Sequence, residues 1–283
     1  MRKTIAFLLP VCLAALHSLP ALAEGAPKSR AQKADETFKR LFAAERRADP
    51  TDPELMEILQ KFIFGEVFYT GELDDKTREM ITVVSLAAIQ TLPQLKAHIH
   101  AALNVGNDPL AVREALYLCA PFIGFPRTLN AVAVFNEVAR ERGLALPLKN
   151  QATVTDETRY QKGLEIQLPL YGDEVKTAMQ ALPAPYSQKV PYILSSFAFG
   201  DFYTRPALSL AQKELLVLVV LAASGAEKQL NAHIVGNLKA GNSKETLLAA
   251  MVQTMPYIGM PNALTAINLI KNTDEKNYQS IYQ

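Results

Sequence analysis

Cysteine is scarce in this chain: among 283 residues only Cys12 and Cys119 occur. Cys12 falls in an N-terminal segment that reads as a cleaved signal, which leaves Cys119 alone and excludes an intramolecular disulfide, so stability has to come from packing. Cys119 closes an apolar helix end, Ala115-Leu116-Tyr117-Leu118-Cys119-Ala120, and is expected to be a buried hydrophobe, since nothing near it in sequence would lower its pKa. An excess of either charge is also missing. From residue 24 onward there are 27 basic and 28 acidic side chains, so no broad basic field is present to bind nucleic acid. No glycine-rich phosphate loop and no strand pattern occur, and no Asp, Glu or Cys clusters around the histidines with metal-ligand spacing. These absences leave an all-α protein without a metal signature.

Residues 1–23 have the three parts of a secretory signal: a basic Met1-Arg2-Lys3, an apolar stretch around Ile5 to Leu16, and the small-residue end Ala21-Leu22-Ala23. Pro10 breaks the apolar run, which falls short of the roughly 20 residues that a spanning helix needs. Cleavage is therefore expected, with no stable membrane anchor and a periplasmic or secreted product. Leu9-Pro10-Val11 ahead of Cys12 does not suit a lipoprotein cleavage site.

The remaining chain carries an internal duplication. Setting residues 64–135 over residues 199–270, with a constant shift and no gap, makes 23 of the 72 positions identical. Among the matches are Phe64/Phe199, Gly65/Gly200, Glu79/Glu214, Gln94/Gln229, His98/His233, Pro121/Pro256 and Gly124/Gly259. Residues 24–49 are read as an N-terminal extension with a charged helix over about Glu36 to Arg47. Residues 50–142 form a first repeat, 143–155 a linker, 156–271 a second repeat and 272–283 a polar tail. The repeats are expected to pack as one unit, and neither need be stable alone.

Helix starts recur at matching places. Asp52 before Pro53, and Asp74, are placed to cap, and Ser209 with Gln212 makes a capping-box pattern. Phe64-Gly65 and Gly71 mark a loop. The helices over Met80 to Ile89 and Leu215 to Ala223 are apolar nearly all round, so both should be buried on every side. Each repeat then has a helix bearing His98 or His233, another that ends where Pro121 or Pro256 interrupts the chain, and a closing helix.

Glu79 and His98 are nineteen residues apart, and so are Glu214 and His233. If the two helices of each pair form an antiparallel hairpin, Glu79 lies about ten residues before the break and His98 about seven after it. At about 1.5 Å per residue those depths differ by about 5 Å, so the side chains can meet. A buried carboxylate can orient an imidazole and fix which nitrogen carries the proton, making a positioned acid or base. A purely structural role, with each Glu closing a helix start and each His a satisfied core residue, is the competing reading, and recurrence of both residue types favours function. His100 has no counterpart, since Val235 takes its place, and it lies on a different helix face from His98.

At these residues the chain resembles the carboxymuconolactone decarboxylase family, which includes alkyl hydroperoxidase D. The likeness rests on Phe64-Gly65, Thr77-Arg78-Glu79, Leu95-Lys96-Ala97-His98, Ala102-Leu103-Asn104-Val105-Gly106, Gly124-Phe125-Pro126 and Asn130-Ala131, repeated less fully in the second half. Arg159-Tyr160-Gln161-Lys162-Gly163 and Tyr171-Gly172-Asp173-Glu174-Val175 look like the opening of a decarboxylase subunit. The resemblance implies an all-helical fold of two tandem repeats and assembly as a homo-oligomer, a trimer equivalent to six single-repeat subunits. The peroxidase branch uses two cysteines four and seven residues before the histidine. Those positions are Gln94 and Thr91 in the first half and Gln229 and Ala226 in the second, so its thiolate chemistry is excluded.

What survives is proton transfer. By resemblance, His98 and His233 are general acids oriented by Glu79 and Glu214, in the cofactor-free decarboxylation of a carboxylated unsaturated lactone. Phe125, Pro126, Asn130, Tyr257 and Met260 are expected to shape the pocket for this small carboxylic acid or lactone. The first half keeps the fuller match, so a single active site would be that of His98. Export fits poorly with a cytoplasmic degradation pathway, which leaves two alternatives open: an exported lactone or enol-acid isomerase or hydrolase, and a non-catalytic helical ring binding a small ligand or a partner protein.

Overall fold

A computed structural model of the chain describes residues 27–273, and the expected export signal lies outside them. Among the described residues there are helices and no strand. The first repeat consists of α1 (Arg30–Phe42), α2 (Pro53–Gly65) with a 3₁₀ turn at Val67–Tyr69, α3 (Asp75–Ile89), α4 (Leu92–Asn104), α5 (Pro109–Leu118), α6 (Ala120–Ile123) and α7 (Phe125–Glu141). The second consists of α8 (Arg159–Tyr171), α9 (Glu174–Met179), α10 (Tyr186–Ile193) running on as a π-helix over Leu194–Tyr203, α11 (Leu210–Ala223), α12 (Glu227–Lys239), α13 (Lys244–Ile258) and α14 (Met260–Asn272).

The starts follow from local chemistry. The Asp74 carboxylate accepts from the Thr77 amide, and Ser209 and Gln212 satisfy each other's backbone amides in a complete capping box. Asp52 makes no such bond, because Asp49 already turns the chain by accepting from the Thr51 and Asp52 amides, so α2 begins on Pro53 alone. The first helix begins earlier than expected, at Arg30 behind a Ser29/Gln32 capping box, and ends at Phe42, where Ala43 is left-handed at φ 52°. Phe64-Gly65 closes a helix instead of forming a loop. A Cβ at Gly65 would stand 2.3 Å from the Arg30 carbonyl oxygen, so this glycine lets α1 and α2 cross. Gly200 stands to the Arg159 carbonyl in the same way, at 2.2 Å, which makes α8 the counterpart of α1. Pro256 lies within α13 and does not interrupt it.

One hydrophobic core runs through both repeats. At its centre α3 packs against α11, with α13 against α3 and α5 and α6 against α11. Ile81, Val83, Val84, Leu218 and Val219 are completely buried there, as expected for helices apolar on all sides. The fold is thus all-α, with two tandem repeats sharing one main core, beside a smaller cluster of Ala34, Leu41, Ile63, Phe64, Phe68 and Ala101 under α1 and α2.

Candidate active site

The long buried helices α3 and α11 carry Glu79 and Glu214 one turn inside their capped starts, and both residues are fully buried. Each helix forms a hairpin with the next, and the hairpin brings the histidine alongside. His98 Nδ1 lies 2.9 Å from Glu79 Oε2, and His233 Nδ1 lies 2.9 Å from Glu214 Oε2. A carboxylate oxygen accepts, so these bonds assign the hydrogen to Nδ1 and leave Nε2 as the second nitrogen of each ring. The other carboxylate oxygens, Glu79 Oε1 and Glu214 Oε1, are buried without a hydrogen-bond partner.

The residue ahead of each glutamate fixes the helix start. Arg78 donates to the carbonyls of Val67, Thr70, Gly71 and Leu73 and to Gln253 Oε1. At the matching place Lys213 donates to the carbonyls of Tyr203 and Arg205. In the second repeat Asn237 adds a tie, donating to the backbone oxygens of Glu214 and His233 and so pinning α11 to α12.

Aromatic rings enclose each imidazole, and one ring always comes from the other repeat. His98 meets Phe42 at 5.7 Å and Tyr257 at 5.5 Å between centroids. His233 meets Tyr171 at 5.1 Å and Phe122 at 5.7 Å. Phe42 and Tyr171 end the corresponding helices α1 and α8, while Phe122 and Tyr257 share a place in the duplication. The sites differ in which ring bears a hydroxyl. Tyr171 donates to Glu214 Oε2 at 2.5 Å, and its oxygen is 2.7 Å from His233 Nδ1. Tyr203 also belongs to the second site, where burial and then the Glu214 charge push its hydroxyl pKa well up; its first-repeat counterpart is Phe68. In the first site burial and then the Glu79 charge raise Tyr257 in the same direction.

A cavity of about 310 Å³ opens at the second site, with His233, Tyr171, Phe122, Gln167, Gln229, Leu194, Ala198 and Phe199 among its walls. Its lining is mainly apolar, with the imidazole, the tyrosine and two amides as the polar groups. The π-helix supplies three of these residues, a contribution that no feature of the sequence signalled. Of the residues expected to shape a pocket, Tyr257 reaches an imidazole. Phe125, Pro126, Asn130 and Met260 lie on the exposed starts of α7 and α14, with Phe125 52% and Met260 50% exposed. The chain turns at Gly124 and Gly259, so the ring that faces the histidine is the one two residues before each glycine. Asn130 instead donates to Gln90 Oε1, fastening the α3–α4 turn to α7.

Cys119 is buried, and desolvation pushes its thiol up to about 12, which keeps it protonated and unreactive. His100 binds Glu141 and Arg142 at the surface, away from the Glu79 pair. Among the described residues no group of three or more His, Cys, Asp or Glu is arranged to hold a metal ion.

Comparison with known proteins agrees with this architecture. The chain is 28% identical over 117 residues to a 4-carboxymuconolactone decarboxylase of Acinetobacter baylyi, covering 41% of this chain and 87% of that protein. It is 29% identical over 91 residues to a nitrosuccinic acid decarboxylase of Metarhizium robertsii, covering 32% of this chain and 64% of that one. A crystal structure from Burkholderia xenovorans, assigned as a candidate gamma-carboxymuconolactone decarboxylase subunit, superposes with a TM-score of 0.53 at 23% identity. That superposition covers 86% of this chain and 96% of the other, and shows a shared fold. Residues 53–137 and 188–272 each match the profile of one family, so the chain is a tandem member of the carboxymuconolactone decarboxylase family.

Proposed function

We propose that the chain is a cofactor-independent carboxy-lyase acting on a small, conjugated carboxylic acid such as a carboxylated unsaturated lactone, with His233 as the proton donor. The observation that carries this reading is the placement of His233: Nδ1 is occupied by Glu214 and the ring borders a largely apolar cavity. Loss of carbon dioxide leaves an electron pair that the conjugated carbonyl accepts as a dienolate. Protonated His233 then delivers the Nε2 hydrogen to carbon, and solvent returns it, so each turnover releases one carbon dioxide and consumes one proton. The apolar walls favour neutral carbon dioxide over the carboxylate that enters. Decarboxylase activity in two relatives supports the reaction type.

The cavity beside His233 supports that histidine as the donor, while the fuller sequence match lies in the first repeat. The test is product analysis with carboxymuconolactone, comparing the wild type with His98→Ala and His233→Ala. Carbon dioxide release that survives the first substitution and is lost with the second is expected. No release from folded wild type would overturn the substrate assignment and shift attention to isomerisation or ring opening.

Assembly as a homo-oligomer forms part of the proposal, supported by the exposed apolar side chains Leu55, Ile58, Leu129 and Leu264. Light scattering should give a mass near three chains, and a monomer at micromolar concentration would contradict this.

A further inference from the structure

Gly236 lies inside α12 with no need for a left-handed backbone, and glycine in a helix interior carries an entropic cost. Space explains it. A Cβ at this position would lie 2.2 Å from the Tyr171 hydroxyl oxygen, 2.7 Å from Tyr171 Cζ and 2.8 Å from Glu214 Oε2. In the first repeat the same place in the duplication is Ala101, fully buried, and the ring that stands in Tyr171's place beside His98 is Phe42, without a hydroxyl. The two differences belong together: where the methyl is present the hydroxyl is missing, and where the methyl is missing the hydroxyl fills its place.

We propose that Tyr171 is a positioning residue of the His233 site, admitted by Gly236, and that this pair makes the two sites of the chain chemically different. The catalytic part of the inference rests on the decarboxylase reading above; the geometry does not. Three polar atoms form a closed triangle, with Tyr171 Oη to Glu214 Oε2 at 2.5 Å, Tyr171 Oη to His233 Nδ1 at 2.7 Å and Nδ1 to Oε2 at 2.9 Å. The phenol donates its hydrogen to the carboxylate, and its oxygen shares the Nδ1 hydrogen with that carboxylate. The imidazole is thereby held by two acceptors in different directions, which fixes the ring's rotation and the aim of Nε2. His98 has Glu79 for this purpose and only ring edges otherwise.

The experiment uses the full chain in four forms: wild type, Tyr171→Phe, Tyr171→Phe/Gly236→Ala, and Phe42→Tyr/Ala101→Gly. The double variant in the second repeat recreates the Phe and Ala combination of the first repeat, with the ring at 171 and the Glu214 carboxylate shifting to admit the methyl. Nitrogen-15 histidine NMR reads the exchange of the His233 Nδ1 hydrogen with water, without any substrate. Tyr171→Phe should speed it by about tenfold, the factor for losing one ordinary hydrogen bond, and the double variant should match it. Phe42→Tyr/Ala101→Gly should slow exchange at His98. With carboxymuconolactone, Tyr171→Phe should lower kcat and leave KM nearly unchanged. If the exchange rate at His233 is the same in Tyr171→Phe as in the wild type, the positioning role is overturned. Changed exchange with no turnover by any form, wild type included, upholds the positioning role and sinks the substrate assignment instead.

Discussion

Tyr257, in the second repeat, stands edge-on to His98 of the first, with ring centroids 5.5 Å apart and planes at 83°. Phe122 of the first repeat repeats the relationship with His233 of the second, at 5.7 Å and 83°. Each site is therefore completed across the duplication, and neither repeat contains a whole one.

This exchange predicts crossed effects. Phe122→Ala should impair turnover that depends on His233, although the two residues belong to different repeats, while Tyr257→Ala should leave that turnover nearly intact. An edge-to-face aromatic contact contributes about 0.5–1.5 kcal/mol beyond burial, so a loss of roughly threefold to tenfold in kcat/KM is expected for Phe122→Ala. Steady-state kinetics on the two variants decide it. Equal effects from both substitutions would mean that the sites are not separately completed.

The large features of this architecture are legible in sequence because a constant shift aligns α3 through α7 with α11 through α14. Glu79, His98 and their partners stand out within that alignment, and the capping signals at Asp74 and Ser209 locate the helices that carry them. Tyr171 escapes the same comparison for a physical reason. The second repeat has the six-residue helix α9 between α8 and α10, so the shift that aligns the histidines sets Tyr171 against Glu36 and not against Phe42. Gly236 against Ala101 looks like an ordinary small-residue change until the hydroxyl above it is seen. Phe125 and Met260, expected in the pocket, lie on exposed helix starts, since Gly124 and Gly259, both at positive φ, redirect the chain just after the rings that face the histidines.

Cys119 provides a negative control for redox chemistry. Its sulfur donates to the Ala115 carbonyl inside the core, and with the thiol pushed up to about 12 almost no thiolate exists near neutral pH. An aromatic disulfide reagent should label no thiol in the native protein purified without residues 1–23 and one thiol after unfolding. Cys119→Ala should cost about 1 kcal/mol of stability and leave turnover unchanged. A large activity loss in a folded Cys119→Ala protein would reopen a thiol mechanism.

Arg78 is buried at 1% exposure, and its guanidinium satisfies four backbone carbonyls and the Gln253 amide oxygen. Arg78→Met preserves much of the apolar stem but strips these acceptors of their donor, and a buried acceptor left unpaired costs about 1–3 kcal/mol. A loss of about 3 kcal/mol or more in chemical denaturation is expected, with Arg78→Lys intermediate because it has fewer donors. A near-neutral Arg78→Met would show that the segment before α3 is held by packing alone.

Lys213 occupies the matching place in the second repeat and carries a pH signature. Burial lowers its amine to about 8, with the nearby Glu114 charge opposing the shift and Arg205 adding to it. An unfolded lysine titrates at about 10.4. Between about pH 8 and 10.4 the unfolded state therefore binds more protons at this residue than the folded state, so the contribution of this group to stability rises with pH through that window. Below pH 8 the cost of burying the charge is present in full. Lys213→Met removes the titration but not the surrounding fold, and the two carbonyls it served lose their donor at every pH. Wild type minus variant stability, from urea midpoints at about pH 7.5 and about pH 10, should therefore move in favour of the wild type as pH rises. Parallel stability curves across that range would show that Lys213 titrates in the fold as it does in water.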